Sequence, residues 1–434
     1  MGMKFEDLQL NPIVNDVIEQ LKFKNPTEIQ EKVIPAIIKG DSVVGQSRTG
    51  SGKTHAFLLP LFHKLESDKK EVQFVITAPT RELATQLYDE VRNIITLANK
   101  TTEWNAKLLV GGTDKQKMIE KLKTPPHIIV GTPGRILDLV KDGAVSIYTA
   151  KSFVVDEADL MLDLGFLEEV DQLLVRSKQD IQLLVFSATI PQRLQHFFKK
   201  YIRNPLNVKI DEHFSPEKMD HRLIRKKHRK EAEIIWEISQ SIHPYLALIF
   251  TNGKQQANEL ADELLEYGLE VGVIHGGLSP RERKRVLKEI QNLKYQYVVA
   301  TDLASRGIDI KGVSHVINAQ IPKEESFYIH RVGRTARAGL EGTAISIYDD
   351  NDLSLIQRLE QKGLIFEFVE VKNGDWKKDQ SWNERQRRKK VDTSIDKEAW
   401  KRVSKQKKVK PGYKKKQKRQ HQEIKRQLTK KKKK

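Results

Sequence analysis

Short, unbroken runs of β-branched and other apolar residues recur along this chain, separated by stretches of helical periodicity. A first series comprises Val43-Val44, Phe74-Val75-Ile76, Ile128-Ile129-Val130, Phe153-Val154-Val155 and Leu184-Val185-Phe186. A second comprises Leu246-Ala247-Leu248-Ile249-Phe250, Tyr297-Val298-Val299-Ala300, Val316-Ile317 and Ala344-Ile345-Ser346-Ile347. A strand with one wet face alternates apolar and polar residues, and these runs do not. Each is therefore expected to be covered on both faces, as in a parallel sheet flanked by helices. Segments such as residues 255–267 supply the helices. Two such series in succession predict an α/β protein of two tandem domains with parallel sheets, residues 1–208 and 220–371. The join falls at residues 209–219, where Pro205 and Pro216 flank a polar stretch.

After Lys372 the pattern dissolves into Lys, Arg and Gln, and residues 372–434 are expected to form a disordered basic tail, because they cannot bury enough surface to offset the entropy of folding. The chain carries a net charge of +19, yet residues 376–434 hold 26 basic and 6 acidic residues and residues 1–375 hold 51 and 52. The tail thus accounts for the whole excess, which points to a polyanionic partner. Trp382, Trp400 and Tyr413 interrupt its basic runs, as rings on which single-stranded nucleic acid can stack. The chain has no cysteine, which excludes disulfides, thiolate metal sites and a cysteine nucleophile and fits a cytoplasmic home. No stretch reads as a secretory signal or a membrane span, so no membrane partner is expected. The myristoylation pattern at Gly2 fails at Glu6, and the sequon at Asn99 is a chance match.

Chemistry-bearing residues follow the strands. Ser47-Arg48-Thr49-Gly50-Ser51-Gly52-Lys53-Thr54 comes after the first run and resembles a phosphate-binding loop, in which backbone N–H groups and a helix N-terminus cradle phosphates. Lys53 is placed to neutralise the β- and γ-phosphates and Thr54 to hold Mg²⁺, although a strict loop of this type has glycine where Ser47 stands. Asp156-Glu157-Ala158-Asp159 closes the run ending at Val155, at the strand end where parallel sheets bind ligands. Asp156 suits Mg²⁺ coordination, and Glu157 suits polarising the attacking water.

Asp-Glu-Ala-Asp is also the signature of the DEAD-box RNA helicases, and the chain resembles that family over about residues 3–350. The resemblance implies two RecA-like domains and an ATP-dependent RNA helicase that separates short duplexes by closing its domains around ATP and RNA, with little base specificity. Phe23, Pro26, Thr27 and Gln30, with Phe5 upstream, resemble the Q motif, which implies adenine recognition by Gln30 and an aromatic stack. Pro79-Thr80-Arg81, Gly111-Gly112 and Thr132-Pro133-Gly134-Arg135 are similar to the RNA-backbone motifs of the first domain. His275-Gly276, Arg283 and Thr301 are similar to those of the second, with Pro280 where the family has Gln. Asp309 is implied to bind the ribose. Ser187-Ala188-Thr189 resembles the motif linking hydrolysis to unwinding, and Asp159, Ser187, Thr189, Arg306 and His330 are the implied coupling residues. In His330-Arg331-Val332-Gly333-Arg334-Thr335-Ala336-Arg337, helical spacing lets Arg334 and Arg337 point the same way, and the resemblance makes them arginine fingers. With its Lys-rich end the chain resembles the cold-shock DEAD-box helicases of Gram-positive bacteria, which implies RNA as partner and makes ribosomal particles and RNA-degradation or cold-shock proteins further candidates. A chaperone whose core has lost chemistry is the competing class, and a DNA helicase the competing enzyme.

Overall fold

In the computed structural model, residues 3–47, 50–202, 204–210, 219–302, 310, 312–335 and 341–380 are described, with residues 398–399, 401–403, 417, 419–424, 426 and 428 of the C-terminal segment. Arg48, Thr49, Arg306, Asp309 and Arg337 lie outside the described residues, as do residues 211–218 of the expected linker and Trp382, Trp400 and Tyr413.

Each apolar run forms a strand. The first domain holds β1 (Val43–Gln46), β2 (Phe74–Thr77), β3 (Ala106–Leu109), β4 (Ile128–Gly131), β5 (Ser152–Val155), β6 (Gln182–Ser187) and β7 (Leu206–Lys209). They lie in the order β3-β4-β2-β5-β6-β1-β7, every pair parallel. The second domain holds β8 (Met219–Arg225), β9 (Ala247–Thr251), β10 (Gly272–Ile274), β11 (Tyr297–Thr301), β12 (His315–Asn318), β13 (Gly342–Tyr348), β14 (Glu367–Lys372) and β15 (Asp375–Lys378). Their order is β10-β11-β9-β12-β13-β8-β14-β15, parallel except for the β14–β15 hairpin. Buried side chains from alternate faces of each strand, such as Val154 and Val155 in β5, enter separate cores on the two sides of the sheet. That double coverage is why these strands carry no polar alternation.

The hairpin corrects one expected boundary. Strand β15 adds to the sheet beyond residue 372, and Trp376 packs against the core of the second domain with the Arg222 guanidinium 4.9 Å from its ring centroid. The folded unit therefore runs to about Gln380, because a lone tryptophan among lysines is enough to pin an edge strand. Residues 398–399 and 401–402 are helical within the stretch expected to be disordered.

Candidate nucleotide and RNA sites

Parallel sheets gather the carboxyl ends of their strands on one edge, and the strand order then sorts the motifs. In the first domain the phosphate loop follows β1, Asp156 to Asp159 follow β5, and Ser187 to Thr189 end β6. These three strands are contiguous in the order β5-β6-β1. Pro79 to Arg81, Gly111-Gly112 and Thr132 to Arg135 follow β2, β3 and β4, which are contiguous as β3-β4-β2. One half of the edge thus gathers the expected nucleotide motifs and the other the expected RNA-backbone motifs. The second sheet places His275-Gly276 and Thr301 at the ends of its adjacent strands β10 and β11.

The loop after β1 turns on Gly50 and Gly52, with φ of 84° and 95°, into the helix Lys53–His63. Gly52 is confined as well as left-handed, since a Cβ there would lie 2.7 Å from Gln30 Nε2 and 2.8 Å from Thr27 Oγ1. Gln30 sits in the first turn of the helix Glu28–Lys39, with Thr27 as its N-cap. Its Oε1 accepts from Thr27 N–H at 2.9 Å, and its Nε2 donates to Gly52 O at 3.1 Å. One N–H and one lone pair of this buried amide remain for a base edge. Phe5 stacks on Phe23 at 6.3 Å, and Phe23 meets the edge of His55 at 4.9 Å. Ser47 fills the position usually held by glycine without strain, its hydroxyl 2.7 Å from that of Ser51. Thr54 follows Lys53 in the first turn of its helix.

Lys53 Nζ donates to Ser47 O at 2.7 Å and lies 3.9 Å from Glu157 Oε1. Glu157 adopts a left-handed backbone, φ 49°, uncommon for a non-glycine residue and frequent at functional sites. Asp156 is buried, and its Oδ1 has no hydrogen-bond partner. Burial, reinforced by the like charge of Glu157, pushes its carboxyl up to about 7. A buried, unpaired carboxylate oxygen beside a second carboxylate and a phosphate loop fits a hard divalent cation such as Mg²⁺.

Asp159 behaves oppositely. Burial opposes its charge, but hydrogen bonds from His330 and Thr189 prevail and hold its carboxyl well below the usual range. Thr189 donates to Oδ2 through N–H at 3.0 Å and Oγ1 at 2.9 Å, and His330 Nε2 lies 3.2 Å from the same oxygen. Ser187 Oγ accepts from Asp159 N–H at 3.0 Å. Four of the five expected coupling residues therefore meet around Asp159, Thr189 and His330 at its carboxylate and Ser187 at its N–H, with His330 supplied by the other domain.

Among the expected RNA motifs, Thr80 caps the helix Arg81–Leu97 and the Arg81 guanidinium lies against Gly111-Gly112, where a Cβ on Gly111 would lie 3.0 Å from its Nη2. Arg135 has a buried Nη1 without a partner. Arg283, on the helix Pro280–Gln291, lies 2.7 Å from Glu82 of the first domain. Pro280 stands at the first position of that helix, after Ser279 and its capping box with Glu282, where proline's fixed φ suits a helix start.

Two side chains sit in surroundings the motifs did not show. His275 is packed in its loop, with Nε2 facing Asn258 Oδ1 at 3.0 Å and Nδ1 accepting from Gly277 N–H at 3.1 Å. The helix carrying His330 ends at Val332, with Gly333 as its cap, so helical spacing does not extend to Arg334. Arg334 is nevertheless buried beside the site, its Nε 3.4 Å from His330 O.

Sequence reasoning assigned no role to Arg331, which is 1% exposed and the largest fully buried side chain. It binds Asp302 through Nε and Nη2 at 2.6 Å each, Asn252 Oδ1 at 2.8 Å, Gln320 O at 2.6 Å and Asn318 Oδ1 at 3.3 Å. The only sequence signal for it was its place inside the motif read for Arg334 and Arg337.

Residues 27–197 match the DEAD/DEAH box helicase family and residues 226–339 the helicase conserved C-terminal domain. The chain is 50% identical to the DEAD-box ATP-dependent RNA helicase CshB of Bacillus subtilis over 95% of its length and 94% of the relative's. It is 46% identical to CshB of Listeria monocytogenes, over 95% of each chain. The chain belongs to the DEAD-box ATP-dependent RNA helicases. Among solved structures of such helicases, S. cerevisiae Dbp5 bound to RNA and ADP BeF3 aligns with a TM-score of 0.76 at 28% identity, covering 89% of this chain and 99% of that one. Mss116p bound to ssRNA and AMP-PNP aligns at 0.74 and 26%, covering 93% and 86%. As a DEAD-box helicase the chain uses ATP and binds RNA, and its fold is the pair of tandem α/β domains expected from the apolar runs, RecA-like as the resemblance implied. No helix among the described residues is long and apolar enough to cross a membrane.

Proposed function

We propose that this helicase hydrolyses ATP with Lys53, Glu157, Arg334 and Arg337 around the γ-phosphate, and that closure on nucleotide and RNA strains short duplexes locally. The observation that carries this reading is Asp159, one carboxylate held by Thr189 from its own domain and His330 from the other. A contact that exists only when the domains meet lets both ligands favour one closed state, so each should tighten the other. Thr54 and Asp156 would hold Mg²⁺, which on binding offsets charge on the transferring phosphates. Glu157 orients and deprotonates the attacking water, while Lys53 and the two arginines meet the charge that develops. Arg81, Gly111-Gly112, Gly134-Arg135 and Thr301 would engage RNA backbone, so base identity should matter little. Arg48, Thr49 and Asp309 would complete the nucleotide site, and Arg306 the coupling network. A cytoplasmic role in cold shock, ribosome assembly or RNA turnover is part of this proposal. RNA-stimulated ATPase and unwinding of a short duplex test the whole reading, and a core that binds RNA without turnover would instead mark a chaperone.

Gln30→Ala should weaken ATP about tenfold, the value of one to two hydrogen bonds, and GTP less, so that the ATP/GTP preference narrows. Nucleotide titrations monitored by fluorescence check this. An unaltered ratio would mean that another residue reads the base.

The basic tail is proposed to tether RNA. Truncation after Gln380 should leave maximal ATPase near the full-length value while raising the RNA concentration for half-stimulation. It should also flatten the salt dependence of RNA affinity, by roughly 0.7 in log-log slope for each phosphate that the shortened protein no longer neutralises. Equal affinity and slope in both proteins would reduce the tail to a solubilising charge run.

A further inference from the structure

We propose that the chain's own basic C-terminal segment docks on an acidic, aromatic face of the second domain and is held there in competition with RNA. The helices Glu231–Ser239 and Lys254–Glu266 pack over the sheet, and at their outer junction Trp236 and Tyr267 lie 5.8 Å apart at 30°. They remain 36% and 41% exposed. Single exposed aromatics are ordinary, but a paired Trp and Tyr offering ring faces form a platform for cations. Carboxylates surround it. Glu259, Asp262 and Glu266 stand exposed along one ridge of the second helix. Glu263, one turn before Tyr267 on this helix, binds Lys230 at 2.7 Å.

Charge and chain path name the occupant. Residues 1–380 balance 53 basic with 53 acidic residues, and residues 381–434 add 24 basic and 5 acidic. The hairpin that precedes this segment lies beside this face. The β14–β15 hairpin flanks the helix Glu231–Ser239, where Arg229 Nη1 donates to Val371 O at 3.3 Å and a Cβ on Gly374 would lie 3.8 Å from Gln240 O. A dozen extended residues reach roughly 40 Å, so the basic runs can lie across the two helices without strain. Each exposed cation–carboxylate or cation–π contact is weak. Several made by one tethered segment add up, because the tether holds the segment at millimolar effective concentration. The lysines that meet these carboxylates are those that would meet phosphates, so RNA binding and docking exclude one another. This regulatory consequence rests on the tail binding RNA, whereas docking itself does not.

Zero-length carbodiimide crosslinking of the full chain without RNA, read by mass spectrometry, should join lysines of residues 405–434 to Glu259, Glu263 or Glu266. The links should fade with added RNA and at about 0.5 M salt, within the screening expected of exposed pairs. Their absence from this face would overturn docking, as would links formed only between chains. A cycle in the full chain then tests the competition. Glu259→Gln, Asp262→Asn and Glu266→Gln together should raise RNA affinity about tenfold at low salt. The same change should have no effect where Lys414, Lys415, Lys416 and lysines 430–434 are Gln. Equal effects in both backgrounds would reveal only the domain's field and overturn the competition, while leaving the ATPase reading untouched.

Discussion

Replacing Glu157 with glutamine should lower RNA-stimulated kcat by about 10²–10⁴-fold, the range of a general base, while ATP and RNA still bind. The amide keeps the shape of the side chain and suits the same left-handed backbone, so the loop entering the helix Ala158–Asp163 should stand unchanged. What disappears is the carboxylate proposed to take the water's proton. Lys53 stays anchored to Ser47 O at 2.7 Å, and the Asp159 oxygen that joins the domains is not touched, so the closed complex should form and persist. The expected signature is split kinetics, with near-normal ligand titrations and collapsed single-turnover hydrolysis at saturating RNA. A kcat within about threefold of the parent would remove Glu157 from the chemistry. Arg334→Ala should likewise cost kcat more than nucleotide affinity, since charge that develops in the transition state is what an arginine finger binds.

The interior strands and the phosphate and carboxylate motifs were legible because their causes are local. A strand covered on both faces must be apolar throughout, and a phosphate loop needs its glycines and lysine within one turn. Strands β3, β7 and β10 were missed because edge positions tolerate residues such as Lys107 and Asn207. Strand β8 lies inside its sheet yet reads Met-Asp-His-Arg-Leu-Ile-Arg. Its His221 is buried against Tyr328 and Phe366, and burial pushes the imidazole down to about 4, so the ring packs as a neutral aromatic. No window of sequence shows that environment. Contacts between domains were equally silent. Asp159 and His330 are 171 residues apart, and periodicity reports only what lies within a few turns. The resemblance named these residues as coupling groups, and the structure adds that they share one oxygen. The motif around His275 did not show that both ring nitrogens find partners inside the second domain, one in the loop and one on the helix Lys254–Glu266.

Arg331→Met should destabilise the second domain by about 3–5 kcal/mol, the cost of stripping the partner from a buried charge. Methionine replaces the aliphatic length of the side chain and its packing on the Phe250 ring, so poorer packing is a minor part of the effect. The larger part is Asp302, 12% exposed in its side chain and left without the guanidinium that meets both its oxygens. Asn252, Asn318 and Gln320 lose a donor as well, and these residues end β9 and β12 on the edge that faces the other domain. Arg331 therefore acts as a positioning residue that ties three strand ends into one rim, through which Asp302 and the helix carrying His330 keep their places. Adding Asp302→Asn should return part of the stability by removing the charge that Arg331 no longer balances, but not the ATPase, because the rim still lacks its bridge. Chemical denaturation of each variant, with RNA-stimulated ATPase measured under native conditions, separates the two. Recovery of stability and turnover together would show that Arg331 only balances charge, whereas recovery of stability alone would show that it builds the geometry on which closure depends.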